Sequence, residues 1–138
     1  MIAGWVQKDA PQLVRDRLRR VVDDPDRVRA QEMRWTPDDP PYVTVQSDGT
    51  PVSSRGWTSE LVRITVYAAD RVQARRLMAF LDGYIAGPRA AGIGLSIRAA
   101  TGLILTNDSR HGGGFIASAT YQVATNRTRR MNNGADNA

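Results

Sequence analysis

The chain contains no cysteine, which excludes a disulfide framework and a thiolate metal site. It has a single histidine, His111, too few imidazoles for a histidine-based metal centre. Glutamate is almost missing, with Glu32 and Glu60 alone, so paired-carboxylate hydrolysis is poorly supplied. Lysine is reduced to Lys8. No window approaches the roughly 18 uninterrupted apolar residues of a membrane helix. The first residues, MIAGWVQKDAPQLV, lack the basic segment and apolar core of a signal peptide. The expectation is a soluble chain assembled in the cytoplasm, with no cofactor, no metal and no membrane partner.

What is present suits one domain. The 138 residues include 41% apolar and 24% charged side chains, enough for a core of ordinary size. The net charge is +5, and all the basic residues but Lys8 are arginine. Arginine offers a planar fork for carboxylates and phosphates, although codon usage in a GC-rich genome produces the same bias. Charge alone supports a weak, salt-sensitive attraction to polyanions and nothing sequence-specific.

Asp9-Ala10-Pro11 followed by Leu13, Val14, Leu18, Val21 and Val22 predicts a short amphipathic helix with proline in its first turn. Arg15, Arg19 and Arg20 fall mostly on the other side, and Asp23-Asp24-Pro25 ends it. Arg27 to Trp35 is ambiguous, with room for a short edge strand. After the stiff turn Thr36 to Pro41, Tyr42 to Gln46 reads as a strand, and Ser47 to Gly56 (SDGTPVSSRG) as a polar loop. Glu60 to Ala68 is the clearest strand: Val62, Ile64 and Val66 point one way, Leu61, Arg63, Thr65 and Tyr67 the other. That pattern fits a sheet covered on one side only.

Asp70 can cap a second helix running to about Ala86, with Ala74, Leu77, Met78, Leu81, Tyr84 and Ile85 on one arc. Gly87-Pro88 stops it. Leu95 to Ala99 and Leu103 to Thr106 read as one bent strand or two short ones, and Phe115 to Thr125 closes the domain. The fold class expected is α+β: a mostly antiparallel sheet with two helices packed on one face. The expected division is a single domain over 1–125 and a disordered tail over 126–138, since NRTRRMNNGADNA has almost nothing to bury.

The stretch NDSRHGGGF, Asn107 to Phe115, has the composition of a phosphate cradle or a catalytic loop. A phosphate loop needs a helix N-terminus behind its glycines. Here an alternating strand pattern follows, and glycines between two strands make a hairpin turn. His111 has no cysteine to activate, and a serine or carboxylate partner would have to come from a loop. It reads as an exposed side chain or an interface contact. The pairs Asp23-Asp24 and Asp38-Asp39 lack the alternation and closing glutamate of a calcium loop and read as solvated turns. No enzymatic activity is expected. Arg127, Arg129 and Arg130 form a basic tail able to meet nucleic acid or an acidic neighbour, or simply to stay solvated. Trp5, Trp35 and Trp57 lie beside loops or the chain end, as tryptophans at contacts do, and as those covering a core edge also do.

The elements Leu13 to Val22, PPYVTVQ (Pro40 to Gln46), ELVRITVYAADRVQARRLMAFLDGYI (Glu60 to Ile85) and FIASATYQVAT (Phe115 to Thr125) together resemble the tail terminator, or tail-completion, family of long-tailed bacteriophages. The likeness is one of layout, over about residues 9 to 125. Its most telling part is Val66-Tyr67-Ala68 capped by Asp70, with Ala74-Arg75 in the helix behind. It implies a structural virion protein, assembled in the host cytoplasm and placed at the head-proximal end of the tail. Such proteins form a ring, usually of six subunits, that stops tube polymerisation. The implied partners are further copies of the chain, the tail tube protein and a head-completion or stopper protein. DNA passes through the lumen without sequence-specific binding. Candidate subunit or docking contacts are Arg55, Trp57, Arg110, His111 and Gly113. Candidate lumen or polyanion contacts are Arg63, Arg127, Arg129 and Arg130. Two alternatives stand beside this: a head-completion stopper or adaptor protein, and a small arginine-rich nucleic-acid-binding domain.

Overall fold

The computed structural model describes residues 2–31, 34–92, 94–108 and 110–132. In chain order these form β1 (Ile2–Val6), α1 (Ala10–Leu18), a 3-10 turn (Pro25–Arg27) and β2 (Val28–Arg29). Then follow β3 (Tyr42–Ser53), β4 (Trp57–Ala68), α2 (Arg71–Ile85), β5 (Leu95–Asn107), β6 (Phe115–Asn126) and β7 (Thr128–Asn132). The main sheet has the order β2-β3-β4-β6-β5 and is antiparallel except for the short β2–β3 pair; β1 and β7 form a separate two-stranded sheet. The fold is α+β.

Each helix starts where its capping residue dictates. The Asp9 carboxylate accepts from the Gln12 amide at 3.1 Å, and the Asp70 carboxylate accepts from the Gln73 amide at 2.8 Å, in both cases pairing an N–H that the helix leaves free. α1 is shorter than its apolar spacing suggests. It stops at Leu18, while Val21 and Val22 reach the core from the turn beyond. The arginines of α1 and its C-cap do not simply face water. Arg15 is buried and donates to the Val45 carbonyl at 3.0 Å, and Arg19 donates to the Val28 carbonyl at 2.7 Å. Their guanidiniums satisfy backbone acceptors along the β3 edge of the sheet that β2 and α1 close together.

The core lies between the helices and one face of the sheet. Val43 and Val45 of β3, Val62, Ile64 and Val66 of β4, and Ala117, Ala119, Tyr121 and Val123 of β6 meet Val14 and Leu18 of α1 and Ala74, Met78, Leu81 and Ile85 of α2. The register makes this one surface: Val62 opposes Tyr121, Ile64 opposes Ala119, and Val66 opposes Ala117. Alanines on β6 leave room for the larger side chains of α2. β5 is a single bent strand, with register shifts between Ala99 and Ile104.

Three expectations are corrected. Residues 47–53, read as a loop, continue β3 as a strand, paired with β4 through irregularities at Gly49. Of the tail read as disordered from Asn126, residues 128–132 form β7 against β1, with Trp5 opposite Arg129; residues 133–138 lie outside the described residues. The sheet is also not bare on its second face. Trp35 is buried against it at one end, and Thr44 and Thr65 there are buried as well.

Candidate interaction surface

The candidates drawn from the sequence divide between the two ends of β4, which are roughly 35 Å apart at strand rise. Arg110, His111 and Gly113 belong to the β5–β6 turn, which meets the Ala68 end of β4. Arg55 and Trp57 sit at the other end, where β3 turns into β4, and Arg127 joins them there from the end of β6. Arg63 lies midway, on the face away from the helices.

At the Ala68 end, the Asp108 amide donates to the Gly114 carbonyl at 3.0 Å and closes the turn. Gly112, Gly113 and Gly114 all take positive φ, at 78°, 126° and 88°, where a side chain is strained. Gly114 has a second constraint. A Cβ there would stand 2.8 Å from the Ala68 carbonyl oxygen and 3.1 Å from the Trp35 ring. The glycines thus let the turn lie flat on Trp35 and Pro37. The hairpin expectation holds, with no helix behind the glycines to bind an anion.

His111 is not the exposed side chain anticipated. Its ring packs edge-on against Trp35 and Tyr67, with centroids 5.7 and 5.5 Å away, and its Nδ1 lies 2.5 Å from the buried Asp108 carboxylate. The other Asp108 oxygen accepts from the Arg110 amide at 3.0 Å. Trp35 Nε1 donates to the Pro40 carbonyl at 2.8 Å, so segment 34–41 and the turn are fastened onto the sheet together. The imidazole holds this aromatic corner in place. Arg110 and Gly113 remain exposed on its rim.

At the Trp57 end, Arg127 is a clamp. Its guanidinium donates to the Ser54 carbonyl at 2.8 Å, the Ser53 hydroxyl at 2.7 Å and the Trp5 carbonyl at 3.2 Å. These bonds bind the β3–β4 turn to β1, and they place Arg127 in a structural role where the sequence suggested a polyanion contact. Arg63 pairs with Asp48 at 3.5 Å on the exposed face. Arg129 is exposed in β7; Arg130 pairs with Gly4 along the backbone, and its side chain lies outside what is described. Around the clamp, Trp5, Val6, Val52 and Trp57 are all exposed, the two tryptophans at 57% and 44%. Nothing local in the sequence signals that Trp5 and Trp57, 52 positions apart, share one end, because their placement depends on the long-range β1–β7 pairing.

Among the described residues no helix is long and apolar enough to cross a membrane. No protein-family model matches the chain, and a search of curated proteins finds no match.

Proposed function

We propose that the chain is a structural subunit of a long-tailed phage connector: a tail terminator that closes into a ring, of six copies by resemblance, on the head-proximal end of the tail tube. One observation carries the reading as an assembly subunit. Two of the three tryptophans and two valines are exposed at an end of the sheet that Arg127 ties together. Exposed tryptophans on an ordered frame are what protein contacts use, because burying them on a partner costs little further ordering. In this role the chain meets the tube on one side and a head-completion protein on the other, and DNA crosses the lumen without base readout.

The test is addition of purified chain to uncapped tail tubes, viewed by electron microscopy. A ring of density at one tube end, with elongation halted, is the expected result. Tubes that continue to grow with bare ends would refute the reading.

A further inference from the structure

A second apolar patch lies far from the tryptophan end. The turn after α1, the start of β3 and the exposed side of α2 enclose a groove of about 410 Å³, floored by Val22, Val43 and Leu77 and walled by Phe80, itself 53% exposed. Asp23 and Asp24 stand at its mouth. Among the described residues neither makes an ion pair, and the Asp24 carboxylate accepts only from the Asp26 amide. Arg27 also lines the groove, but its guanidinium is engaged by the Pro40 and Pro41 carbonyls and lies over the Tyr42 ring. The lining therefore carries two carboxylates against one guanidinium, a net acidic charge whose carboxylates are free to pair.

The opposite end of β3 carries the complement. Val52 and Trp57 are exposed on the same face, and Arg55 between them makes no hydrogen bond or ion pair among the described residues. Val43, in the groove, and Ser53, at the turn, are ten residues apart along one strand, roughly 30 Å. The turn therefore cannot fold back into its own groove.

We infer that the β3–β4 turn of one copy docks in the α1–α2 groove of the next, with Val52 and Trp57 against Phe80 and Leu77 and Arg55 between Asp23 and Asp24. Two like ends do not suit each other: turn against turn opposes Arg55 to itself, and groove against groove opposes two surfaces of net acidic charge. A turn seated in a partner's groove matches both apolar surface and charge, and taken head to tail the contact is heterologous. Such heterologous contacts propagate into a ring or filament. The inference rests on the proposed ring only in taking a second copy of the chain as the occupant.

The cysteine-free chain makes disulfide trapping a clean test. Val52→Cys and Gln73→Cys, both at exposed positions, are prepared separately, mixed at high concentration and oxidised. The expected product is the mixed disulfide dimer, in at least about tenfold excess over either homodimer, as a heterologous contact requires. Arg55→Asp in the first chain should cut that yield about tenfold, the scale of one close charge contact, and Asp24→Arg in the second chain should restore it. Homodimers in equal amount, or no mixed disulfide, would overturn the inference. Rings on tail tubes without the mixed disulfide would overturn this contact while leaving the terminator reading intact. The mixed disulfide together with uncapped, growing tubes would do the reverse.

Discussion

The hydroxyl of Tyr121, on the core face of β6, donates to the carboxylate of Asp82 on α2. It is the polar tie between the second helix and the middle of the sheet, set among Met78, Leu81 and Ile85. Burial pushes the Tyr121 phenol well above its usual range, and the hydrogen bond and charge of Asp82 push it further. A phenol rather than an alanine or valine at this point of β6 fixes where α2 sits along the strand, because a carboxylate in a partly apolar site must keep its donor.

Tyr121→Phe keeps the ring and removes the donor. It should cost about 1–2 kcal/mol at neutral pH, read by urea unfolding. The pH dependence has a definite sign. The folded phenol titrates above the unfolded one, so its contribution is complete below about pH 10, the ordinary phenol value, and is lost as pH rises above it. Unfolding between pH 9 and about 11.5 should therefore steepen in the parent relative to Tyr121→Phe; parallel curves would remove Tyr121 from the alkaline response.

The three consecutive glycines should not be equivalent. Gly112 has open space where a Cβ would sit, so Gly112→Ala should cost only its backbone strain, about 1 kcal/mol. Gly114→Ala adds a clash with the Ala68 carbonyl and Trp35 and should cost about 3 kcal/mol or more. Thermal unfolding of the two variants checks the order. Equal losses would mean the turn does not rest on Trp35.

Asp108→Ala strips the acceptor from His111 and from the Arg110 amide. A loss of about 1.5–3 kcal/mol is expected. Trp35 should report it, since Trp5 and Trp57 are exposed and Trp35 is buried. In a Trp5→Phe, Trp57→Phe background, emission should shift to the red as the corner opens. An unchanged spectrum would show that segment 34–41 stays seated without the turn.

Arg127 and Arg63 look alike in sequence and should behave differently. Arg127→Ala removes three hydrogen bonds that join the β3–β4 turn to β1 and should cost about 1–3 kcal/mol, with faster amide exchange in β1 and β7. Arg63→Ala breaks an exposed ion pair and should cost less than about 0.5 kcal/mol. Similar losses in the two variants would count against the clamp.

The α+β class, the Asp70 helix cap, the inward faces of β4 and β6 and the β5–β6 turn were legible because each is written locally, in period, capping residue or glycine. What was not legible depends on partners distant in sequence. Residues 47–53 contain Asp-Gly and a proline and no apolar alternation, and they become strand because β4 lies alongside to take their hydrogen bonds. β7 has little to bury and is ordered by backbone pairing with β1, at the far end of the chain. His111 looked free because nothing nearby in sequence announces Trp35 and Tyr67 as its neighbours. The candidate contacts were found singly; their division between a structural corner and an exposed tryptophan end appears only in the folded chain.

The proposed capping of the tail tube is put to the test by electron microscopy of particles assembled with the gene deleted. A terminator's loss should leave overlong or headless tails beside DNA-filled, tailless heads, because only an uncapped tube keeps growing. Tails of normal length beside leaking heads would place the chain on the head-completion side of the joint, and unaltered virions would contradict the connector role altogether.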